Sequence, residues 1–171
     1  MLLFLLEVGH PKPLPIIIDT DPGQDDAVAI LLALASPEFE VLGITAVAGN
    51  VPLALTEINA RKICELAGRP EIKVFAGAVR PLLRPLVTAE YVHGQTGLDG
   101  PVWPEPKMPL QKQHAVDFIV ETLMTHEAGT ITLCVLGPMT NIALALIREP
   151  RIASRIKRIV VSTYQSVSGA G

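Results

Sequence analysis

The fold of this chain is decided by one stretch, residues 15–27, which read PIIIDTDPGQDDA. The three isoleucines at 16–18 predict a short, fully buried strand, and Pro22-Gly23 predicts a turn. From Asp25 a buried helix is predicted, because an unbroken apolar series follows as far as Ala35. The unit is therefore a strand, an acidic turn and a helix. Open α/β sheets bind ligands at the edge where such strands end.

Four carboxylates lie within eight positions of this stretch: Asp19, Asp21, Asp25 and Asp26. Carboxylates this close repel one another, so without a counter-ion the pKa of at least one of them is raised. A divalent cation removes the repulsion, and ligands rich in oxygen and free of thiols favour Ca²⁺ or Mg²⁺. The alternative is helix capping, since Asp is favoured at N-caps and in first turns. Capping, however, requires one acid rather than four.

Strands and helices alternate along the rest of the chain. Further strands are predicted at residues 41–47, 72–75, 130–136 and 156–161, and helices at 52–67, 114–127 and 140–147. The alternation predicts an α/β fold with an open, mostly parallel sheet and helices on both faces. Residues 79–113 break the pattern, and such long irregular segments are usually functional or mobile. We interpret residues 1–14 as an N-terminal extension and residues 15–171 as one α/β domain.

The composition limits the function classes. With 49% hydrophobic residues and a mean hydropathy of +0.41, the chain suits one compact domain with a sizeable core. A net charge of −3 gives no electrostatic footprint for nucleic acid or an anionic membrane. The apolar run at residues 2–6 is too short for a signal peptide or a membrane span. Cys64 and Cys134 fit buried thiols in a reducing compartment, so we expect a cytoplasmic protein.

The motif DTDPGQDDAVAI at residues 19–30 resembles the N-terminal signature of the nucleoside hydrolases, the inosine-uridine-preferring ribohydrolase family. The similarity continues through AVAGN at 46–50, HGQTGLDG at 93–100 and GPMTNIA at 137–143. It implies a doubly wound, Rossmann-like fold, one bound Ca²⁺ and hydrolysis of the N-glycosidic bond of purine or pyrimidine ribonucleosides. The partner it implies is thus a small-molecule ribonucleoside, and the family's dimers and tetramers imply a homo-oligomer.

The resemblance also assigns a metal site and a catalytic base. It implies that Ca²⁺ is held by Asp21, Asp26 and the backbone carbonyl of Leu136, and that Asp21 takes a proton from the attacking water. Asp19 is expected to support these ligands from behind, since such acceptors fix ligand orientation.

Three further residues are expected to contact the substrate. The resemblance implies that Asp25 and Asn50 bind the ribose, and that His93 lies on the substrate side of the loop beside the base. Without the resemblance, Asn50 would be interpreted as a turn or N-cap residue and His93 as a surface histidine. Asp99 is interpreted as a turn residue, and Thr140 and Asn141 as helix caps.

The resemblance stops after Val161, where the family continues with a Met-Gly-Gly turn and ribose-binding Asn and Glu residues. Here residues 162–171 read STYQSVSGAG. The family's C-terminal half supplies one more Ca²⁺-ligating Asp and, in many members, a His that protonates the leaving base. We therefore expect a copy truncated at its C-terminus, with weak or absent activity as an isolated chain.

Two alternatives remain at this point. The chain could be a non-catalytic remnant that binds a metal or another ligand. Residues 16–21, IIIDTD, also resemble the start of the haloacid-dehalogenase phosphatases, whose first Asp is a nucleophile. Those enzymes carry Thr or Val where Gly23 stands here, and this difference disfavours the phosphatase interpretation.

Overall fold

A six-stranded, wholly parallel sheet forms the centre of the protein, in the order β4-β3-β2-β1-β5-β6. The computed structural model describes residues 12–100 and 102–162. The predicted open, parallel α/β sheet is confirmed. The strands are β1 (Leu14–Thr20), β2 (Phe39–Ala46), β3 (Val74–Ala76), β4 (Leu110–Gln111), β5 (Thr132–Val135) and β6 (Arg158–Val161).

Helices cover both faces of the sheet. On one face α1 and α2 pack on Ile16 and Ile18 of β1, and on the other face α4 and α5 pack on Ile17. Neighbouring residues of β1 thus serve opposite cores, as the alternation of side chains along a strand requires. The helices are α1 (Gln24–Ala35), α2 (Leu53–Leu66), α3 (Glu90–His93), α4 (Ala115–Thr125) and α5 (Thr140–Arg148), followed by a 3₁₀ helix (Pro150–Ser154).

The position of β1 determines where a ligand can bind. From β1 the chain proceeds outward through β2 and β3 on one side, whereas β5 pairs with β1 on the other side. The strand order therefore reverses beside β1. In open α/β sheets the crevice outside the carboxyl ends of the strands at such a reversal is the usual ligand site.

Several predicted boundaries differ from the structure. The first strand begins at Leu14 rather than Ile16, because Leu14 and Pro15 pair with β2 although their side chains are not fully buried. The irregular segment at 79–113 contains the short α3 and β4, which were not predicted. The described residues do not include residues 1–11 of the predicted extension, nor residues 163–171. No helix in the described ranges is long and apolar enough to cross a membrane.

The helix predicted to be buried, α1, is buried along one side only. Val28 and Leu32 are 66% and 70% exposed, although the helix is apolar on all sides. Only the side that carries Ile30 and Leu34 packs against the sheet. The outer face of α1 is therefore an apolar surface exposed to solvent.

Gly43 in β2 makes room for an aromatic stack on the α4 face of the sheet. The rings of Phe75 and Phe118 stack with centroids 3.9 Å apart, and a Cβ at Gly43 would lie 2.7 Å from Phe118 Cζ. We expect Gly43→Ala to lower the free energy of unfolding by about 2 kcal/mol through overpacking, measured by urea denaturation. In a Phe118→Leu background the same change should cost less, and an undiminished cost would contradict the steric explanation.

Candidate active site

A cleft of about 670 Å³ opens at the carboxyl ends of β1, β2 and β5. Three separate parts of the sequence reach it: the acidic turn after β1, the turn after β2 and the residues that follow β5. The loop around α3 forms a further wall. Six of the predicted site residues line the cleft: Asp21, Asp25, Asp26, Asn50, His93 and Leu136.

Asp21 is fixed in the floor of this cleft. Its side chain is 5% exposed, and its Oδ2 accepts a hydrogen bond of 2.7 Å from the Asn50 backbone N–H. The Asn50 side-chain Nδ2 in turn donates to the Asp21 carbonyl oxygen at 3.0 Å. A Cβ added at Gly49 or at Gly137 would collide with the Asp21 carboxylate. Both glycines are therefore required for the backbone to approach the acid this closely.

Asp26 reaches the cleft from the first turn of α1. Its side chain is buried, and Oδ2 accepts a hydrogen bond of 2.8 Å from the Thr20 hydroxyl. Asp25, its neighbour, is exposed at the cleft. The N-cap position is occupied by Gly23 and carries no side-chain capping bond. Capping alone therefore does not account for these acids.

Burial raises the pKa of all three enclosed carboxyls. Desolvation is the main cause for Asp21, whose pKa rises to about 7, with a further contribution from the charge of Asp26. Desolvation raises the pKa of Asp26 to about 6, although the Thr20 hydroxyl opposes the rise. Burial also raises the pKa of Asp19 to about 7. Without a cation, full ionisation of this cluster at neutral pH is therefore costly.

Asp19 does not line the cleft but lies beneath it, completely buried. Its Oδ1 accepts hydrogen bonds from the Thr45 hydroxyl at 2.5 Å and from Asn141 Nδ2 at 2.8 Å. Its Oδ2 has no partner among the described residues. This arrangement is consistent with the predicted supporting position of Asp19 behind Asp21.

Asn141 is a site residue that the sequence reasoning missed. It was interpreted as a helix cap together with Thr140, but Met139 is the N-cap of α5 and no side-chain cap bond forms there. The Asn141 side chain is fully buried and bonds to Asp19, to the Ala46 carbonyl and to the Ala78 backbone N–H. It therefore joins the ends of three strands, and only its place in the GPMTNIA motif could have indicated this role.

Oxygen atoms dominate the metal-binding candidates. Asp21, Asp26 and Leu136, the three residues expected to hold the metal, line the same cleft, and no cysteine lines it. This donor set fits a hard cation such as Ca²⁺. Within residues 12–100 and 102–162 no group of three or more His, Cys, Asp or Glu side chains could hold a metal ion. A cation that prefers six to eight oxygens would therefore need further ligands or waters.

The loop that carries His93 is tied to the acidic turn. Asn59 of α2 is buried and donates to the Pro22 carbonyl at 3.3 Å and to the Thr96 carbonyl at 2.7 Å. Asp99 accepts bonds from the backbone N–H groups of Gln95 and Thr96, which confirms its role as a turn residue. The irregular segment is therefore ordered at the cleft by side chains from other elements.

Two exposed residues of α3 were also missed. Tyr91 and Val92 line the cleft and are 89% and 57% exposed. Large apolar side chains that stay exposed beside a polar cleft commonly mark a binding surface. The only signal in the sequence is their position immediately before His93.

The two cysteines are free, with Cys64 buried and Cys134 partly buried. Neither reaches the cleft. Thiol chemistry is therefore no part of the site.

A family model described as inosine-uridine preferring nucleoside hydrolase matches residues 16–163. The chain belongs to the nucleoside hydrolase family. The match covers every residue assigned above to the cleft, and it ends two residues after Val161, where the resemblance in the motifs stops. The phosphatase interpretation is set aside.

Curated relatives resemble this chain over most of its length. An uncharacterized protein of Schizosaccharomyces pombe is 57% identical over 146 residues, and a pyrimidine-specific ribonucleoside hydrolase of Salmonella paratyphi B is 49% identical over 148 residues. These alignments cover 85% and 86% of this chain but 47% of each relative. The chain thus spans about half the length of these curated relatives.

Solved structures of nucleoside hydrolases share the fold. A purine-preferring ribonucleoside hydrolase from Gardnerella vaginalis superposes with a TM-score of 0.81 at 35% identity, covering 86% of this chain and 48% of that one. A plant nucleoside hydrolase superposes with a TM-score of 0.79 at 37% identity, covering 87% of this chain and 47% of that one. The predicted Rossmann-like fold of the family is confirmed.

The raised pKa values predict how stability depends on pH. In the unfolded chain these aspartates have the ordinary pKa of 3.8. In the folded, metal-free protein, burial raises the pKa of Asp21 to about 7. Between these values the folded state binds more protons, so the free energy of unfolding falls as pH rises. In chelator we expect a lower melting temperature at about pH 8 than at about pH 5.

Calcium should reverse this loss, because binding requires the ionised carboxylates. We expect Ca²⁺ to raise the melting temperature more at about pH 8 than at about pH 5. Asp21→Asn should abolish most of the gain. An equal gain at both pH values, or an undiminished gain in the variant, would contradict a carboxylate site that includes Asp21.

Asn141→Ala tests the buried network behind the site. The change removes a donor from Asp19 and leaves the Ala78 N–H without its acceptor. Since unsatisfied buried groups cost roughly 1–3 kcal/mol each, we expect the free energy of unfolding to fall by about 3 kcal/mol. The matched control is Thr140→Val at the preceding buried position, which should cost about 0.5 kcal/mol or less. Equal losses would show that the network is not what stabilises this end of the sheet.

Proposed function

We propose that this chain carries the catalytic edge of a Ca²⁺-dependent ribonucleoside hydrolase, which converts a ribonucleoside and water to ribose and the free base. The observation that carries the proposal is the geometry of Asp21, a buried carboxylate in the floor of the cleft whose Oδ2 is held by the Asn50 backbone N–H. A carboxylate fixed in this way can accept a proton from a water molecule bound in the cleft. Membership of the nucleoside hydrolase family supports the reaction type.

In the proposed reaction, Asp21 accepts a proton from a water molecule in the floor of the cleft. The oxygen of that water bonds to C1′ of the ribose as the bond from C1′ to the base nitrogen breaks, and positive charge develops on the sugar. The base leaves with the bonding electron pair and takes up a proton from solvent, and Asp21 releases its proton to solvent. Ca²⁺ held by Asp21, Asp26 and the Leu136 carbonyl would supply Lewis acidity and lower the pKa of the water. Asp19 is assigned a supporting position beneath the cleft, where its Oδ1 is held by Thr45 and Asn141.

Substrate binding is assigned to the rim of the cleft. Asn50 Nδ2 already donates to the Asp21 carbonyl, so its Oδ1 remains to accept a hydrogen bond from a ribose hydroxyl. Asp25 is exposed at the same cleft and is assigned a second ribose hydroxyl. His93, with the apolar Tyr91 and Val92 beside it, is assigned to the substrate side of the loop.

A metal- or ligand-binding protein without turnover is the second candidate. It is favoured by one observation, that the donor set here consists of two carboxylates and one carbonyl where Ca²⁺ prefers six to eight oxygens. In this candidate, Ca²⁺ binds the site and raises the melting temperature, but no ribose is released.

Two further properties support proposals about the compartment and the oligomeric state of the protein. Free cysteines support residence in a reducing compartment, which we propose is the cytoplasm. The exposed apolar face of α1 at Val28 and Leu32 supports self-association into dimers or tetramers.

The proposal is tested by release of ribose from uridine, cytidine, inosine and adenosine, with Ca²⁺ and with chelator. We expect turnover that requires Ca²⁺ and falls by about a thousandfold in Asp21→Asn, since general-base contributions are about 10²- to 10⁴-fold. Glu40→Gln, at an exposed acid of β2 far from the cleft, is the control and should leave the rate unchanged. Turnover that persists in Asp21→Asn would exclude Asp21 as the base. A Ca²⁺-dependent rise in melting temperature without turnover would favour the second candidate.

A further inference from the structure

Gln24, the first residue of α1, holds the loop of His93 through both ends of its amide. Its Nε2 donates to the His93 carbonyl oxygen at 3.1 Å and lies 3.5 Å from the Asp99 carbonyl oxygen. Because carbonyl oxygens only accept hydrogen bonds, these contacts determine which end of the amide is the nitrogen. The other end, Oε1, then faces the ring and lies 2.6 Å from His93 Nδ1.

This contact determines where the proton of the imidazole lies. An amide oxygen can only accept, so the bond to Oε1 requires that Nδ1 carries a proton. In the neutral ring the lone pair is then on Nε2, which becomes an acceptor. Free imidazole side chains prefer the opposite tautomer, with the proton on Nε2, so the amide must shift this preference.

The ring is also fixed sterically. A Cβ added at Gly23 would lie 2.6 Å from His93 Nδ1 and 2.7 Å from Cε1, so the imidazole packs directly on the backbone of the acidic turn. Nε2 has no hydrogen-bond partner within the described part of the chain, and His93 lines the cleft. The nitrogen that Gln24 leaves without a proton is therefore available to a ligand.

We propose that Gln24 is a positioning residue that sets the tautomer of His93, so that Nε2 presents a hydrogen-bond acceptor to a hydroxyl group of the substrate. The neighbouring groups fit such a ligand. Asp21 and Asp25 at the same cleft are also acceptors, and so is Asn50 through its Oδ1. A cleft whose polar groups are mostly acceptors matches a neutral sugar with several hydroxyl donors. Only this last step, the identity of the ligand, rests on the proposed function.

The tautomer is measured directly by long-range ¹H–¹⁵N NMR correlation on the full chain with Ca²⁺, at about pH 9, where imidazoles in proteins are neutral. His93 is assigned by loss of its signals in His93→Phe. We expect wild-type His93 to carry its proton on Nδ1. In Gln24→Met, which keeps the length of the side chain but removes the amide, the proton should move to Nε2.

Two further variants distinguish control of the His93 tautomer by Gln24 from a merely structural role of Gln24. Gln24→Glu keeps an acceptor for Nδ1 and should restore the wild-type tautomer. Gln95→Met changes an exposed glutamine of the same loop, whose side chain has no hydrogen bond within the described residues, and should leave the tautomer unchanged. Wild-type protein with the proton on Nε2, or Gln24→Met with the proton still on Nδ1, would overturn the proposal, and neither result depends on turnover.

The ligand step is measured with uridine. Binding should shift the Nε2 resonance of wild-type His93, and Gln24→Met should raise KM about tenfold while kcat changes less than about threefold, as expected for one lost binding contact. If the chain does not turn over uridine, the resonance shift alone decides whether His93 Nε2 contacts the ligand. An unshifted Nε2 in the presence of saturating uridine would overturn the assignment of His93 as the hydroxyl acceptor. The tautomer result would still stand, so the two failures are distinguishable.

Discussion

The burial of three carboxyl groups at the end of one strand is the constraint on which the rest of this structure depends. Asp19, Asp21 and Asp26 are each less than a tenth exposed, and desolvation raises the pKa of all three. Removing charge from water is among the most unfavourable steps in folding, and it is tolerated only where polar partners compensate. The surrounding amides and hydroxyls supply part of that compensation, and the raised pKa values show that they do not supply all of it.

The pleat of β1 distributes these partners between the two faces of the sheet. Ile17 belongs to the core under α4 and α5, and Asp19, two residues later, meets Asn141 of α5. Ile18 belongs to the core under α1 and α2, and Thr20, again two residues later, meets Asp26 of α1. On one face a helix residue thus supports an acid of the strand, and on the other face a strand residue supports an acid of the helix, because side chains alternate along the strand. The same alternation leaves Asp21, just beyond the strand, at the open edge.

Sequence reasoning could predict the parts of the site that are local. Residues 15–27 contain the strand, the turn and the start of α1 in one uninterrupted pattern, and Asp21, Asp25 and Asp26 of this stretch all line the cleft. The partners that arrive from far along the chain were not predictable from periodicity. Asn141 is 122 positions from Asp19, and Gln24 is 69 positions from His93, so neither contact leaves a local pattern. A two-residue strand such as β4 is likewise too short to produce one.

The separation between Asp19 and Asn141 also affects how the protein is made. β1 is synthesised first, but its pairing with β5 and its contact with α5 require residues more than a hundred positions later. Until then the acids at the end of β1 remain hydrated on the growing chain, where their charges cost little. Contacts between distant residues are slow to form because a long loop must close first. The site is therefore completed late, when most of the hydrophobic sheet is available to enclose it.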